Sequence, residues 1–285
     1  MANHIFRDGT ELRWTSQPGP QTLFLWCPTQ DALYSGSRGA GKTDALIGSF
    51  LYHLQTEGPD VRGVFFRRTY PELAEVWTRM LEIYPVTGAE PNKTEYSFTW
   101  KNGAKIELRY LETDDDSARY MGRNWTFAAW DEVTNWANPE PLDKLWATLR
   151  SAKGIRCIRR LAGNPGGPGT QWVKERYIDD HQPYHPFRWA PNKLRPDLTI
   201  ESMFIPALLD DNKILLGNDP DYEARLAAIG DTELYKAWRW GSWDTHPATA
   251  PAAAPCRRAS GSPDRLAHRP DQRPSRRAAT TRLTV

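Results

Sequence analysis

With 285 residues, 39% hydrophobic and 12% aromatic side chains, the chain can bury a sizeable core in one large domain or two small ones. No run approaches the ~18 apolar residues of a membrane span, and the first eight residues lack the apolar stretch of a signal peptide, so the expected location is cytoplasmic. The formal net charge of +2 is uneven: residues 246–285 hold eight arginines and two aspartates, leaving 29 basic and 33 acidic residues elsewhere, so bulk charge gives no argument for a nucleic-acid role. Cys27, Cys157 and Cys256 are odd in number and widely spaced, which excludes a disulfide framework or a zinc site as the reading and leaves small buried hydrophobes as the expected role of the first two.

In chain order, the first predicted strand is Ala32-Leu33-Tyr34-Ser35, an apolar run suited to a buried parallel strand. It leads into Gly36-Ser37-Arg38-Gly39-Ala40-Gly41-Lys42-Thr43, which fits the phosphate-loop pattern G-x-x-x-x-G-K-[ST] without a mismatch. That chemistry needs this spacing. The glycines let backbone N–H groups curl around phosphates, Lys42 can reach the β and γ phosphates, and the Thr43 hydroxyl can ligate Mg²⁺. Ala45, Leu46, Phe50, Leu51 and Leu54 keep a helical spacing afterwards, and that helix turns its positive end to the same anion. A nucleoside triphosphate, ATP in the first instance, is the implied ligand.

A strand at residues 63–66 precedes a helix over residues 71–84, with Thr69 as its candidate N-cap. Strands at 96–100 and 105–110 flank Lys101-Asn102-Gly103-Ala104, where Asn-Gly signals a hairpin. Next comes Trp125-Thr126-Phe127-Ala128-Ala129-Trp130-Asp131-Glu132, an apolar strand ending in two carboxylates. Asp131 would hold Mg²⁺ beside Thr43, and Glu132 would polarise the attacking water as general base. A helix near 141–150 and a strand at 155–162 follow. That strand closes on Asn164-Pro165, whose amide suits a sensor of the γ phosphate or its water. Alternating strands and helices predict an α/β fold around a mostly parallel sheet. Beyond residue 181 the pattern weakens to a Pro-rich connector, a strand at 203–208, and helices near 221–228 and 233–240.

The order of phosphate loop, strand with Asp-Glu and strand with Asn-Pro resembles the ATPase domain of phage large terminase subunits, the motors that pump DNA into procapsids. Phe66-Arg67-Arg68-Thr69-Tyr70-Pro71-Glu72-Leu73, Ile205-Pro206-Ala207-Leu208-Leu209-Asp210-Asp211-Asn212, Asp219-Pro220-Asp221-Tyr222 and Trp240-Gly241-Ser242-Trp243-Asp244 extend the resemblance over about residues 10–244. It implies an ASCE-type P-loop NTPase over residues 1–180 and a linker subdomain over 181–245. It implies an adenine-reading glutamine, of which Gln21 is preferred over Gln17, and assigns Arg38 in cis to the γ phosphate. A trans-acting arginine from a neighbouring subunit is also implied; Met121-Gly122 stands where it is expected, leaving Arg119 and Arg123 as candidates. The implied partners are double-stranded DNA, a portal protein, a small terminase subunit and further copies in a homo-oligomeric ring.

Residues 246–285 lack Phe, Trp, Tyr, Lys, Glu, Met and Ile and are expected to be disordered. A basic DNA-binding tail and a shifted-frame, non-native end are both open readings. With Asp264 and Asp271 as its only acids, the tail offers no nuclease site, so the expectation is a motor half without the cutting half. Two rival functions stand beside the motor: a helicase-like or repair P-loop ATPase, and a nucleotide-binding fragment without turnover.

Overall fold

The computed structural model describes residues 14–244; the expectations for the tail, including Cys256, Asp264 and Asp271, lie outside the described residues. In chain order the strands are β1 (Asp31–Gly36), β2 (Arg62–Arg67), β3 (Ala89–Asn92), β4 (Ser97–Trp100), β5 (Lys105–Tyr110), β6 (Phe127–Trp130), β7 (Ile158–Gly163), β8 (Pro186–Trp189) and β9 (Ile200–Ala207). The central strands follow the apolar runs, and the edge strands β3 and β8 do not. They form one sheet in the order β3-β4-β5-β2-β6-β7-β1-β9-β8. The six strands from β5 to β9 in that order pair in parallel, while β3, β4 and β8 join antiparallel at the edges.

Side-chain alternation along the strands builds two cores, as a period of two requires. Tyr34, Phe65, Ile106, Phe127, Ala162 and Ile205 face one side. There they pack with α1 (Pro20–Leu25), α2 (Lys42–Glu57) and α3 (Tyr70–Ile83). Leu33, Val64, Phe66, Trp130, Leu161 and Phe204 face the other, covered by α4 (Glu140–Trp146) and α5 (Thr170–Tyr177). The central strands are buried on both faces, which is why they read as continuous apolar runs. Phe50 of α2 lies so close to β2 that a Cβ at Gly63 would stand 2.4 Å from its ring.

The last three helices are α6 (Lys213–Asn218), α7 (Tyr222–Ala227) and α8 (Thr232–Trp240). The predicted hairpin forms as β4 and β5, closed by Gly103 at φ +94°. Several boundaries move inward. The helix expected to reach residue 150 stops at Trp146, because the Arg150 N–H pairs with the Trp125 carbonyl at 3.0 Å. Thr69 precedes α3 in extended conformation but makes no side-chain cap. The segments α1, β3, α5, β8 and α6 have no counterpart among the predicted elements; all are short, four to eight residues each, too short for a period to show. Residues 186–207, placed by sequence in a linker subdomain, supply β8 and β9 of the common sheet.

At the lower end of the sheet, Asp31 and Arg159 stand opposite each other in the β1–β7 register. Asp31 accepts from Arg159 Nε at 2.8 Å, Tyr177 Oη at 2.8 Å and Ser202 Oγ at 2.8 Å. Arg159 reaches on to Asp143 at 2.9 Å and lies over the Trp146 ring. The pair is fully buried, and its many hydrogen bonds offset the cost of desolvating two charges.

Candidate active site

Four parallel strands end on one rim. β1 runs into the phosphate loop, β2 ends on Arg67, β6 runs into Asp131 and Glu132, and β7 into Asn164. Register makes these ends neighbours: Phe66 pairs with Trp130, Trp130 with Leu161, and Ser35 with Gly163. Motifs far apart in sequence therefore meet where ligands bind α/β sheets, outside the carboxyl ends of the strands.

Gly41, in left-handed conformation, hands the loop to α2, whose first N–H groups lack partners within the helix. Lys42 is buried and donates from Nζ to the Ser37 carbonyl. Burial pushes its pKa down to about 8, with Glu132 and Asp131 pulling the other way and Arg38 adding to the fall. Thr43 Oγ1 donates to Asp131 Oδ2 at 2.7 Å, so the predicted pair of metal-site residues is brought together. Asp131 is 1% exposed, and its other oxygen accepts the Glu132 N–H at 3.0 Å.

Glu132 projects from a left-handed backbone at φ +52°. Burial first, then the Asp131 charge, push its carboxyl above the usual carboxylate range. Asn164 Nδ2 donates to Glu132 Oε2 at 3.0 Å, and Asn164 Oδ1 is buried without a protein partner. A cleft of about 400 Å³ lies beside them, lined by Arg38, Arg67, Glu132, Thr134, Asn164 and Trp238 among others. Such a carboxylate, held by an amide and raised in pKa, is suited to accept a proton from water.

The four other site residues named from the sequence, Arg38, Gln21, Arg119 and Arg123, have the following surroundings. Arg38 is exposed, its guanidinium 4.2 Å from the Trp238 ring centroid and its N–H bonded to the Trp238 carbonyl at 2.7 Å. Gln21, expected to read adenine, is buried, and its amide is spent on the chain itself: Nε2 donates to the Gly41 carbonyl at 3.0 Å, and Oε1 accepts the Gln17 N–H at 2.6 Å. Arg119 and Arg123 are exposed near Asp116 and Glu107, at 3.1 and 3.8 Å, and neither lines the cleft of its own chain.

Sequence reasoning missed the role of Arg67, which pairs with Asp131 at 2.6 Å. The signal was available, since a charge directly after an apolar strand belongs to the same rim as the Asp-Glu pair. It also missed Trp238 and Asn212. Nothing local in the sequence links Asn212 to Gly39, 173 residues upstream, or Trp238 to Arg38, farther upstream still.

Residues 33–187 match the family described as terminase large subunit, T4likevirus-type, N-terminal, which is more than half of the chain. This chain belongs to that family. The stretch matched to the terminase family holds Gly36 through Asn164, and stops before β9 and the helices that follow it. Among solved structures, the large terminase of a thermophilic bacteriophage is similar with TM-score 0.60 and 16% identity, over 80% of this chain and 53% of that one. The same phage terminase in complex with ADP and with ATP-γ-S is similar with TM-score 0.58 and 17% identity, over the same shares. At such identity the likeness shows a shared fold alone. The chain spans about half the length of these terminases. No curated protein matches it.

Proposed function

We propose that this chain hydrolyses ATP with Mg²⁺ and is the motor domain of a terminase large subunit, driving double-stranded DNA into a viral procapsid. The observation that carries the reading is the Glu132 carboxylate, held by Asn164 on the same rim as the phosphate loop and the Thr43–Asp131 pair. The ligands of the thermophilic phage terminase, ADP and ATP-γ-S, support a nucleotide in the equivalent place. Thr43 Oγ1 and Asp131 Oδ2 are two hard oxygens 2.7 Å apart, a donor set that, with phosphate oxygens and water, fits Mg²⁺. When bound, the ion would be held by these two residues and would neutralise charge on the phosphates.

Each other role belongs to the chain's own groups. The loop N–H groups and the start of α2 bind and orient the phosphates. Lys42, already desolvated, meets the phosphate charge in a site of low dielectric where its attraction is strong. Glu132 takes the proton of the attacking water, and Asn164 fixes the carboxylate and aligns that water. Arg38 leaves its place on Trp238 to reach the γ phosphate. Family membership supports the assembly: a homo-oligomeric ring docked on a portal protein and fed by a small terminase subunit, with Arg119 or Arg123 supplied to the neighbouring site.

Steady-state ATP hydrolysis by the wild type and Glu132→Gln, with and without double-stranded DNA and alongside a nucleotide titration, tests this. Turnover should fall by about 10²–10⁴-fold in the variant while binding persists. Undiminished turnover in Glu132→Gln would sink the assigned chemistry. Stimulation by single-stranded DNA alone would favour a helicase-like enzyme.

A further inference from the structure

Two carbonyls of the phosphate loop are held from outside by side-chain amides. They belong to Gly39 and Gly41, whose φ angles are +77° and +73°. Left-handed residues in such a loop let successive N–H groups converge on an anion, and their carbonyls are left on the outer side. Asn212 Nδ2 donates to the Gly39 carbonyl at 2.6 Å, and Gln21 Nε2 to the Gly41 carbonyl at 3.0 Å.

The two amides are joined through Gln17. Its backbone N–H donates to Gln21 Oε1 at 2.6 Å, its Nε2 donates to Asn212 Oδ1 at 2.7 Å, and its Oε1 accepts the Ile214 N–H at 3.3 Å. Asn212 Oδ1 also accepts the Leu215 N–H at 3.1 Å, capping α6. Every end of the three amides thus has a partner. The packing leaves no slack either: a Cβ at Gly41 would stand 3.0 Å from Gln21 Nε2, and one at Gly39 would stand 2.9 Å from Leu215.

We infer that Asn212 is a positioning residue for the phosphate loop, holding the Gly39 carbonyl outward so that the loop's N–H groups stay aimed at the phosphates, with Gln17 and Gln21 completing the clasp. The segment after β9, outside the matched family region, thereby takes part in nucleotide binding without touching nucleotide. The inference rests on the nucleotide site proposed above.

The discriminating variant is Asn212→Asp in the full chain. It is isosteric and keeps both accepted bonds and the helix cap, but replaces the donor to Gly39 by a carboxylate oxygen. Affinity for ADP and ATP-γ-S, measured by calorimetry, should fall about ten-fold with the melting temperature close to wild type. Gln17→Met, which adds no charge, should weaken binding in the same direction. The double variant should lose less than the product of the single losses, because the residues act through one hydrogen-bonded unit. Wild-type affinity in both single variants overturns the inference, as does a loss confined to Asn212→Asp, which a through-space charge would explain, or a loss that only follows a drop in melting temperature. An unmutated chain that binds neither nucleotide is a different failure, that of the functional reading itself.

Discussion

Glu132 and Asp31 show two ways in which a single acid is kept in a protein interior. Glu132 sits in left-handed backbone at φ +52°, a conformation that costs a non-glycine residue about 1–3 kcal/mol and tends to be kept where function needs it. Its pKa is raised for a separate reason, burial beside Asp131, which penalises the charged form. Asp31 instead accepts from Arg159, Tyr177 and Ser202, far from the rim. Removing it in Asp31→Ala leaves Arg159 buried with Asp143 as its remaining acid, and the expected loss is about 3–5 kcal/mol of stability. Urea denaturation reads this directly, and nucleotide affinity of the remaining folded fraction should stay near wild type. At this scale the meeting of the phosphate loop, Asp131, Glu132 and Asn164 on one rim was legible, because each follows the end of a strand that the apolar pattern marks. The use of Gln21 was not legible. An amide's partners depend on which carbonyl lies within hydrogen-bonding reach, and sequence does not contain that distance.

Among the elements, α2 joins the site to the core. It carries Lys42 and Thr43 at one end and buries His53 further along, with the ring 5.7 Å from Phe127. Burial, then the charges of Arg160 and Arg156, lower the His53 pKa from 6.5 to about 3. The unfolded chain therefore takes up the proton first. Stability from this group is intact above about pH 6.5 and drains as pH falls, by at most about 1.4 kcal/mol per unit, until the folded pKa is reached. Between about pH 7 and 5 the wild type should lose up to about 2 kcal/mol more than His53→Leu, which denaturant titrations at the two pH values would register. A parallel pH dependence in both proteins would show that His53 is not the group involved. The longer elements were predicted with small boundary shifts, because periodicity over ten or more residues outweighs local noise. Short ones such as α5 and β8 were missed, because four to eight residues are too few for a period to show.

At the scale of the whole molecule, β9 decides how much chain the fold needs. It pairs with β1 from Asp31↔Ser202 to Gly36↔Ala207, so the strand that presents the phosphate loop has a neighbour drawn from residues 200–207. The Ala207 carbonyl accepts the Ser37 N–H at 2.8 Å, and a Cβ at Gly36 would stand 2.4 Å from that oxygen. A chain ended at residue 180 would expose the β1 edge. It should be insoluble or should bind no nucleotide, as gel filtration and titration against the full chain would reveal; a soluble, binding-competent 1–180 would refute the structural role given to β9.

Sequence by itself determined the α/β class, the phosphate loop and the carboxylate pair, because those follow from apolar period and from residues adjacent in the chain. The tertiary structure alone decided that β9 flanks β1, that Arg67 pairs with Asp131, and that Asn212 holds Gly39. These depend on sheet order and register, which bring together residues 64 to 173 positions apart, and no local pattern encodes such a contact.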